Sequence, residues 1–285
     1  MNPLLATLQP YPFERLRQLF AGVTPPANRK PISLGIGEPK HATPEFIKTA
    51  LIQSLDTALS GYPATLGELR MREACAQWLK RRYAIEVNPA TQILPVNGSR
   101  EALFALAQAV LDPTKPGAKV ISPNPFYQIY EGATLLGGAE PFYVANAPET
   151  DFSANWDAVP DDIWAQTQLV FVCSPGNPTG KVMPLAEWKK LFELSEKYGF
   201  VIASDECYSE IYFRDEPPLG GLEAASQLGY KEFKRLISFT SLSKRSNVPG
   251  LRSGFVAGDA AIIKDFLLYR TYHGCAMSGV VQAAS

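Results

Sequence analysis

Two uninterrupted apolar runs, Leu169-Val-Phe-Val-Cys173 and Phe200-Val-Ile-Ala-Ser204, restrict what this chain can fold into more than any other feature. A strand with one face in water alternates apolar and polar residues, whereas a run without alternation belongs to a strand covered on both faces. Between the two runs, residues 184–198 place Leu185, Trp188, Leu191, Phe192 and Leu194 on one broad helical face, and Gly199 ends the pattern. Strand, helix and strand in that order make the unit of a parallel sheet. The same alternation continues in a strand over 93–96, a helix over 102–111, a strand over 119–122, an α/β unit over 131–144, strands over 234–238 and 255–257, and a helix over 260–269. The expected fold class is therefore α/β, a mostly parallel sheet flanked by helices on both faces, with ligand groups at the carboxyl ends of the strands.

Composition removes several alternatives. The 285 residues are 46% apolar and 19% charged, which are globular values, and the formal net charge of −1 comes with both signs interspersed. No polyanion-binding surface is encoded, so neither nucleic acid nor membrane is expected as a partner. The opening Met1-Asn-Pro-Leu-Leu-Ala-Thr-Leu-Gln-Pro10 lacks the basic flank and apolar core of a secretory signal, and no apolar run could span a bilayer, so a cytoplasmic location is expected. Cys75, Cys173, Cys207 and Cys275 are scattered without a C-x-x-C pair, and His41 and His273 are the only histidines. That pattern encodes neither a disulfide framework nor a metal site, and buried thiols are expected.

The first 30 residues carry Pro3, Pro10, Pro12, Pro25 and Pro26 around one short helical pattern over 13–20, which describes an arm lying on another surface. Ile32-Ser-Leu-Gly35-Ile-Gly37-Glu-Pro39 reads as a short strand entering a glycine turn, where backbone amides could approach a carboxylate or simply turn the chain. Thr43-Pro44-Glu45 opens a helix that runs through Leu55, and a longer amphipathic helix covers 68–83. Tyr62, in the turn between them, is on residue evidence alone a packed aromatic.

The chemistry collects where strands end. Asn97-Gly98-Ser99-Arg100 joins a strand to a helix, so free amides and the helix dipole converge on one spot, either as an anion site or with Ser99 as a plain cap. Phe126 and Tyr127 follow the strand at 119–122 and could stack on a flat ring or fill the core. Asn177 lies in Ser174-Pro-Gly-Asn177-Pro-Thr-Gly180, directly after the first apolar run. Asp205 ends the second run, where an acid needs a cationic partner such as a protonated ring nitrogen, or else serves as a helix cap or internal salt bridge. Ser241-Leu-Ser243-Lys244 and Arg252 offer an amine able to form an imine with an aldehyde, beside hydroxyls and a guanidinium able to hold a phosphate. Pyridoxal phosphate carries both of those groups.

Together, Asn177-Pro-Thr-Gly180, Asp205-Glu-Cys-Tyr208 and Ser241-Leu-Ser-Lys244 with Arg252 resemble, in order and spacing, the class I/II aminotransferases of fold type I, from the Gly35-Ile-Gly-Glu-Pro39 loop onward. The resemblance implies that Lys244 is the Schiff-base lysine and proton carrier, and that Asp205 pairs with the pyridine nitrogen. It gives Asn177 and Tyr208 the ring 3-oxygen and Tyr127 the ring face. Gly98, Ser99, Ser241 and Arg252 would hold the phosphate, with Arg100 and Ser243 also among the cofactor contacts. Gly37 and Asn177 would lie at the substrate, and Tyr62 would reach the phosphate of a neighbouring subunit in a homodimer with shared sites. Residues 1–40 would be an arm and part of a small domain, and 41–285 the large cofactor-binding domain. In that family the chain runs on past the helix near Ser278 to supply the rest of the small domain and a substrate-carboxylate arginine, so a partial small domain is expected here.

The opening residues, Asn2 through Leu16, are similar to those of the bacterial succinyldiaminopimelate aminotransferases. This implies amino exchange between glutamate and N-succinyl-2-amino-6-ketopimelate in lysine biosynthesis, by a two-step ping-pong route. Transfer to another amino acid of aspartate, aromatic or alanine type, a β-lyase on the same fold, and a non-catalytic cofactor-sensing domain are the alternatives.

Overall fold

The computed structural model describes residues 1–274 and 276–285. Among the described residues seven strands form one sheet: β1 (Ile93–Val96), β2 (Lys119–Asn124), β3 (Glu140–Ala145), β4 (Thr167–Cys173), β5 (Val201–Asp205), β6 (Leu236–Ser241) and β7 (Gly254–Gly258), in spatial order β1-β7-β6-β5-β4-β2-β3. The strands β2 to β6 pair in parallel, while β7 runs antiparallel to both β6 and β1. The sheet is thus mostly parallel, as the apolar runs require, with one reversal that periodicity does not encode.

Alternation along each strand divides the core in two. Val170, Val172 and Ile202 point to the face covered by the helices Leu69–Tyr83, Leu185–Tyr198 and Gly221–Gln227, around the fully buried Trp188. Leu169, Phe171, Ala203 and Phe239 point to the other face, covered by Ser99–Val110, Ile129–Leu136 and Ala260–His273. Each strand of the middle of the sheet is therefore wrapped on both sides. The helix Gly279–Ala284 packs on the distant helix Glu45–Ala58, with Gly279 against Ala58. Gln282, buried beside it, accepts from the Glu68 amide at 2.7 Å and donates to the Met277 carbonyl at 2.8 Å.

Two expectations need correction. Residues 32–36 form no strand: Ile32, Leu34 and Ile36 are exposed and no sheet edge accepts their backbone. An extended apolar stretch becomes a strand only where a neighbour supplies the other half of the hydrogen bonds. Of the cysteines, Cys75 is buried but Cys173 and Cys207 are only partly so, and Cys275 lies outside the described residues. Among the described residues no helix is long and apolar enough to cross a membrane, and no group of three or more His, Cys, Asp and Glu side chains could hold a metal ion.

The far end of the antiparallel β6–β7 pair is set by Gly258, the last residue of β7, which lies opposite Ile237 with a φ of +150° that is outside the range comfortable for a side chain. A methyl group there would collide with the Leu236 carbonyl. Gly258→Ala should lower stability by about 3 kcal/mol. Urea denaturation checks this, and an unchanged midpoint would mean that the β6–β7 pairing does not need the close approach.

Candidate active site

Register places the chemistry on one rim. Cys173 pairs with Asp205 across β4 and β5, and Asp205 pairs with Phe239 of β6, two residues before that strand ends. Because β7 is antiparallel, its first residue, Gly254, lies level with the last residues of both neighbours, Ser241 and Val96. The loops after β1, β2, β4, β5 and β6 and the loop before β7 therefore open on the same edge. Parallel strands side by side are separated by about 4.8 Å, so groups two strands apart are within reach of one small ligand.

Asp205 is 5% exposed. The Tyr130 hydroxyl donates to its Oδ2 at 2.8 Å and the Cys207 amide to its Oδ1 at 3.3 Å. Burial pushes its carboxyl above the usual range, and the hydrogen bonds from Cys207 and Tyr130 only partly offset that. Among the described residues no lysine, arginine or histidine pairs with it. A buried carboxylate served only by neutral donors retains a demand for positive charge.

Lys244 follows β6 in a one-turn helix, Leu242–Arg245, capped by Ser241, whose Oγ accepts from the Ser243 amide at 3.1 Å. The Lys244 Nζ donates to the Gly37 carbonyl and lies 5.8 Å from the centre of the Tyr208 ring. The Tyr208 hydroxyl is 3.5 Å from where a side chain at Gly37 would begin, so Gly37, Tyr208 and Lys244 face one another. Burial pushes the Tyr208 phenol up to about 12, leaving it a hydrogen-bond donor at neutral pH.

Arg252 ties the connection between β6 and β7 to the turn after β1. Its Nη1 donates to Ser243 Oγ at 3.3 Å and to the Pro249 carbonyl at 3.0 Å, and its Nη2 to the Asn97 carbonyl at 3.4 Å. Gly98 has φ +83°, and a methyl there would overlap the Arg252 guanidinium, so glycine is required for that approach. Ser99 opens a 12-residue helix pointing its amino end at the same place, and its Oγ is 2.8 Å from Cys207 Sγ. Guanidinium, hydroxyls and helix amides form a donor set suited to a phosphate.

The remaining expected residues are distributed as follows. Tyr127 stands just beyond β2, edge-on to Tyr130 at 5.8 Å, with its phenol pushed up to about 12 by burial. Asn177 follows β4 on the same rim and is partly exposed. Arg100 is exposed and lies 5.7 Å from the Tyr11 ring in the N-terminal arm. Tyr62 is fully exposed and contributes nothing to the site of its own chain. Residue reading missed Tyr130: the ring stacks on Phe171 at 4.6 Å, and its hydroxyl reaches Asp205 across 75 positions of sequence. Only the fold could reveal that contact, although the proline-flanked aromatic cluster marked the place.

The site fits pyridoxal phosphate on its own features: a cation-seeking carboxylate, an amine one strand away, and a phosphate cup closed by a glycine that admits no side chain. A protein-family comparison matches residues 29–285 to the family "Aminotransferase class I and II". Among curated proteins, the LL-diaminopimelate aminotransferase of Nitratidesulfovibrio vulgaris (strain DP4) is 35% identical over 262 residues, 91% of this chain and 65% of that protein. The enzyme of that name from Dehalococcoides mccartyi strain 195 is 34% identical over 284 residues, 99% of this chain and 70% of that protein. The chain thus spans about two thirds of the length of these relatives. Among solved structures, an aminotransferase from Neisseria meningitidis Z2491 superposes with a TM-score of 0.95 at 57% identity, covering 100% of this chain and 72% of that one. The aminotransferase AspB of Helicobacter pylori 26695 gives 0.90 at 39% identity over 97% of this chain and 72% of that one.

The raised carboxyl of Asp205 has a consequence for stability. Below the unfolded value of 3.8 the group is protonated in both states and burial costs no charge. As pH rises toward the higher folded value, the unfolded chain ionises first and stability is lost. Asp205→Asn removes that loss, so in the cofactor-free protein the variant should gain on the wild type between pH 4 and pH 7. Urea midpoints of both proteins at the two pH values measure this; a difference that does not change with pH would show that Asp205 is not a strained anion.

Proposed function

The chain belongs to the class I and II aminotransferases, and we propose that it moves an amino group between an amino acid and a 2-keto acid with pyridoxal 5′-phosphate as cofactor. The observation that carries this reading is the unpaired buried Asp205 at the same rim as Lys244 and Arg252. When bound, the cofactor supplies an electron sink for the substrate α-carbon. Asp205 would keep the pyridine nitrogen protonated, and Asn177 and Tyr208 would hydrogen-bond the 3-oxygen. Tyr127 would cover one ring face. Gly98, Ser99, Ser241, Ser243 and Arg252 would hold the phosphate, with Arg100 at its edge. The Lys244 amine would hold the aldehyde carbon and carry the proton between the substrate α-carbon and the C4′ carbon, and the Gly37 backbone would lie beside the substrate carboxylate.

Tyr62, free in its own chain, would reach the phosphate of a second copy, which makes the active form a homodimer with shared sites. The division at residue 40, into an arm with part of a small domain and a large cofactor-binding domain, is supported by the exposure of residues 21–38 and the confinement of the sheet to 93–258. For the substrate, the opening residues favour exchange between glutamate and N-succinyl-2-amino-6-ketopimelate. A second reading, transfer on unsuccinylated LL-diaminopimelate, is favoured by the names of the curated relatives. Both belong to lysine biosynthesis and differ in whether the far amine is masked.

The protein should take up pyridoxal phosphate with a visible absorbance, and Lys244→Ala should lose that absorbance and about 1,000-fold of turnover. Full activity in the variant would refute the role of Lys244. Glutamate formation from 2-oxoglutarate, assayed with the succinylated and the free amine donors side by side, separates the two substrates; failure with both would leave a general aminotransferase of another specificity.

A further inference from the structure

One end of the helix Leu69–Tyr83 touches the sequence neighbours of both proposed reactive groups while touching neither group itself. Arg245, next to Lys244, lays its guanidinium 4.4 Å from the centre of the Trp78 ring. Glu206, next to Asp205, accepts a hydrogen bond from the Tyr83 hydroxyl at 2.9 Å. Arg82 then reaches past Tyr208, donating to Glu210 at 2.8 Å and to the Pro218 carbonyl at 2.9 Å, with its own guanidinium 4.6 Å from the Tyr83 ring centre.

These contacts fall on the two segments that follow β5 and β6. A helix of four residues, such as that carrying Lys244, does not stand on its own hydrogen bonds. The Ser241 cap and the Leu242 amide to the Ser253 carbonyl hold its start, and the Arg245 stack on Trp78 holds its far end. On the neighbouring strand, Glu206 is 1% exposed and accepts from Ser204 Oγ at 2.8 Å, from the Gly221 amide at 2.9 Å and from Tyr83. Its three donors are all neutral, and it faces the opposite side of the sheet from Asp205. Tyr208 thus sits in a turn pinned at residue 206 by Tyr83 and at residue 210 by Arg82.

We propose that Trp78, Arg82 and Tyr83 form a positioning platform that sets the Lys244 turn and the Asp205–Tyr208 turn against each other from behind the sheet. This rests on the aminotransferase reading of the site and adds to it three residues that touch neither cofactor nor substrate. The two turns leave the adjacent strands β5 and β6, whose pairing reaches the Glu206 amide on the Phe239 carbonyl. Beyond that bond the helix is one rigid element that contacts both turns and holds the Lys244 turn against the Tyr208 turn. A displacement of about 1 Å between such groups costs on the order of 100-fold in rate, so a partial loosening should be visible as a smaller loss.

The test uses the holoprotein and two variants on opposite arms of the platform. Tyr83→Phe deletes only the hydroxyl that Glu206 accepts from, and Arg245→Lys keeps the cation but loses the flat stack on Trp78. Each should lower kcat by about tenfold with KM within about twofold, and each should shift the pH midpoint of the bound cofactor's absorbance by about 0.5 unit or more. Tyr198→Phe, which loses a remote exposed hydrogen bond to Asp161, should change neither. If both platform variants only lose thermal stability while their absorbance titration and kcat match the wild type, the residues are structural and the proposal is overturned. If the wild-type chain takes up no cofactor, the aminotransferase reading falls, and the platform falls with it.

Discussion

A carboxylate buried at the end of a parallel strand without a cation is the constraint from which the rest of this molecule follows. The fold stops just short of satisfying Asp205: Tyr130 and the Cys207 amide supply hydrogen bonds but no charge. The next residue shows that the fold could have done otherwise. Glu206, equally buried and one position on, receives three donors from its own chain and is left nothing to bind. Strand alternation sends the two side chains to opposite faces of the sheet. One carboxylate is spent on holding elements together, and the other is held in reserve for a ligand.

The antiparallel β7 has a comparable division of labour. Had it run parallel, Arg252 would have emerged at the other edge of the sheet, away from Lys244. The Pro249–Leu251 turn and the reversal bring Gly254 level with Ser241 and Val96, and a short loop then puts a guanidinium between the Asn97 and Ser243 segments. Two segments 155 positions apart in sequence thereby share one cation. The glycine at 98 is the steric condition for that sharing.

Much of this was legible in the residues, for identifiable reasons. Apolar runs at 169–173 and 200–204 encode burial on both faces, and the polar residues that terminate them mark the rim without any knowledge of topology. What could not be read was anything that depends on which strand lies beside which. The Tyr130 to Asp205 bond, the Ser99 to Cys207 contact and the direction of β7 all arise from pairing, and pairing leaves no local signature. The expected strand at 32–36 failed for the same reason in reverse: its apolar residues signalled burial, but no neighbouring edge was available to complete it. The placement of Arg100 beside Tyr11 depends likewise on how the arm folds back, which prolines punctuate but do not direct.

The packing of Gly279–Ala284 on Glu45–Ala58 sets an order on how this molecule can be made. A helix laid down among the first sixty residues has its partner surface more than two hundred residues later, and Gln282 closes on the Glu68 amide across the same gap. During synthesis on the ribosome the early helix must wait, its apolar side unmatched, until nearly the whole sheet has been assembled. The contact between these two helices therefore spans far more sequence than the β4–β5 and β5–β6 pairings at the centre of the sheet, and their docking follows the synthesis of every strand between them.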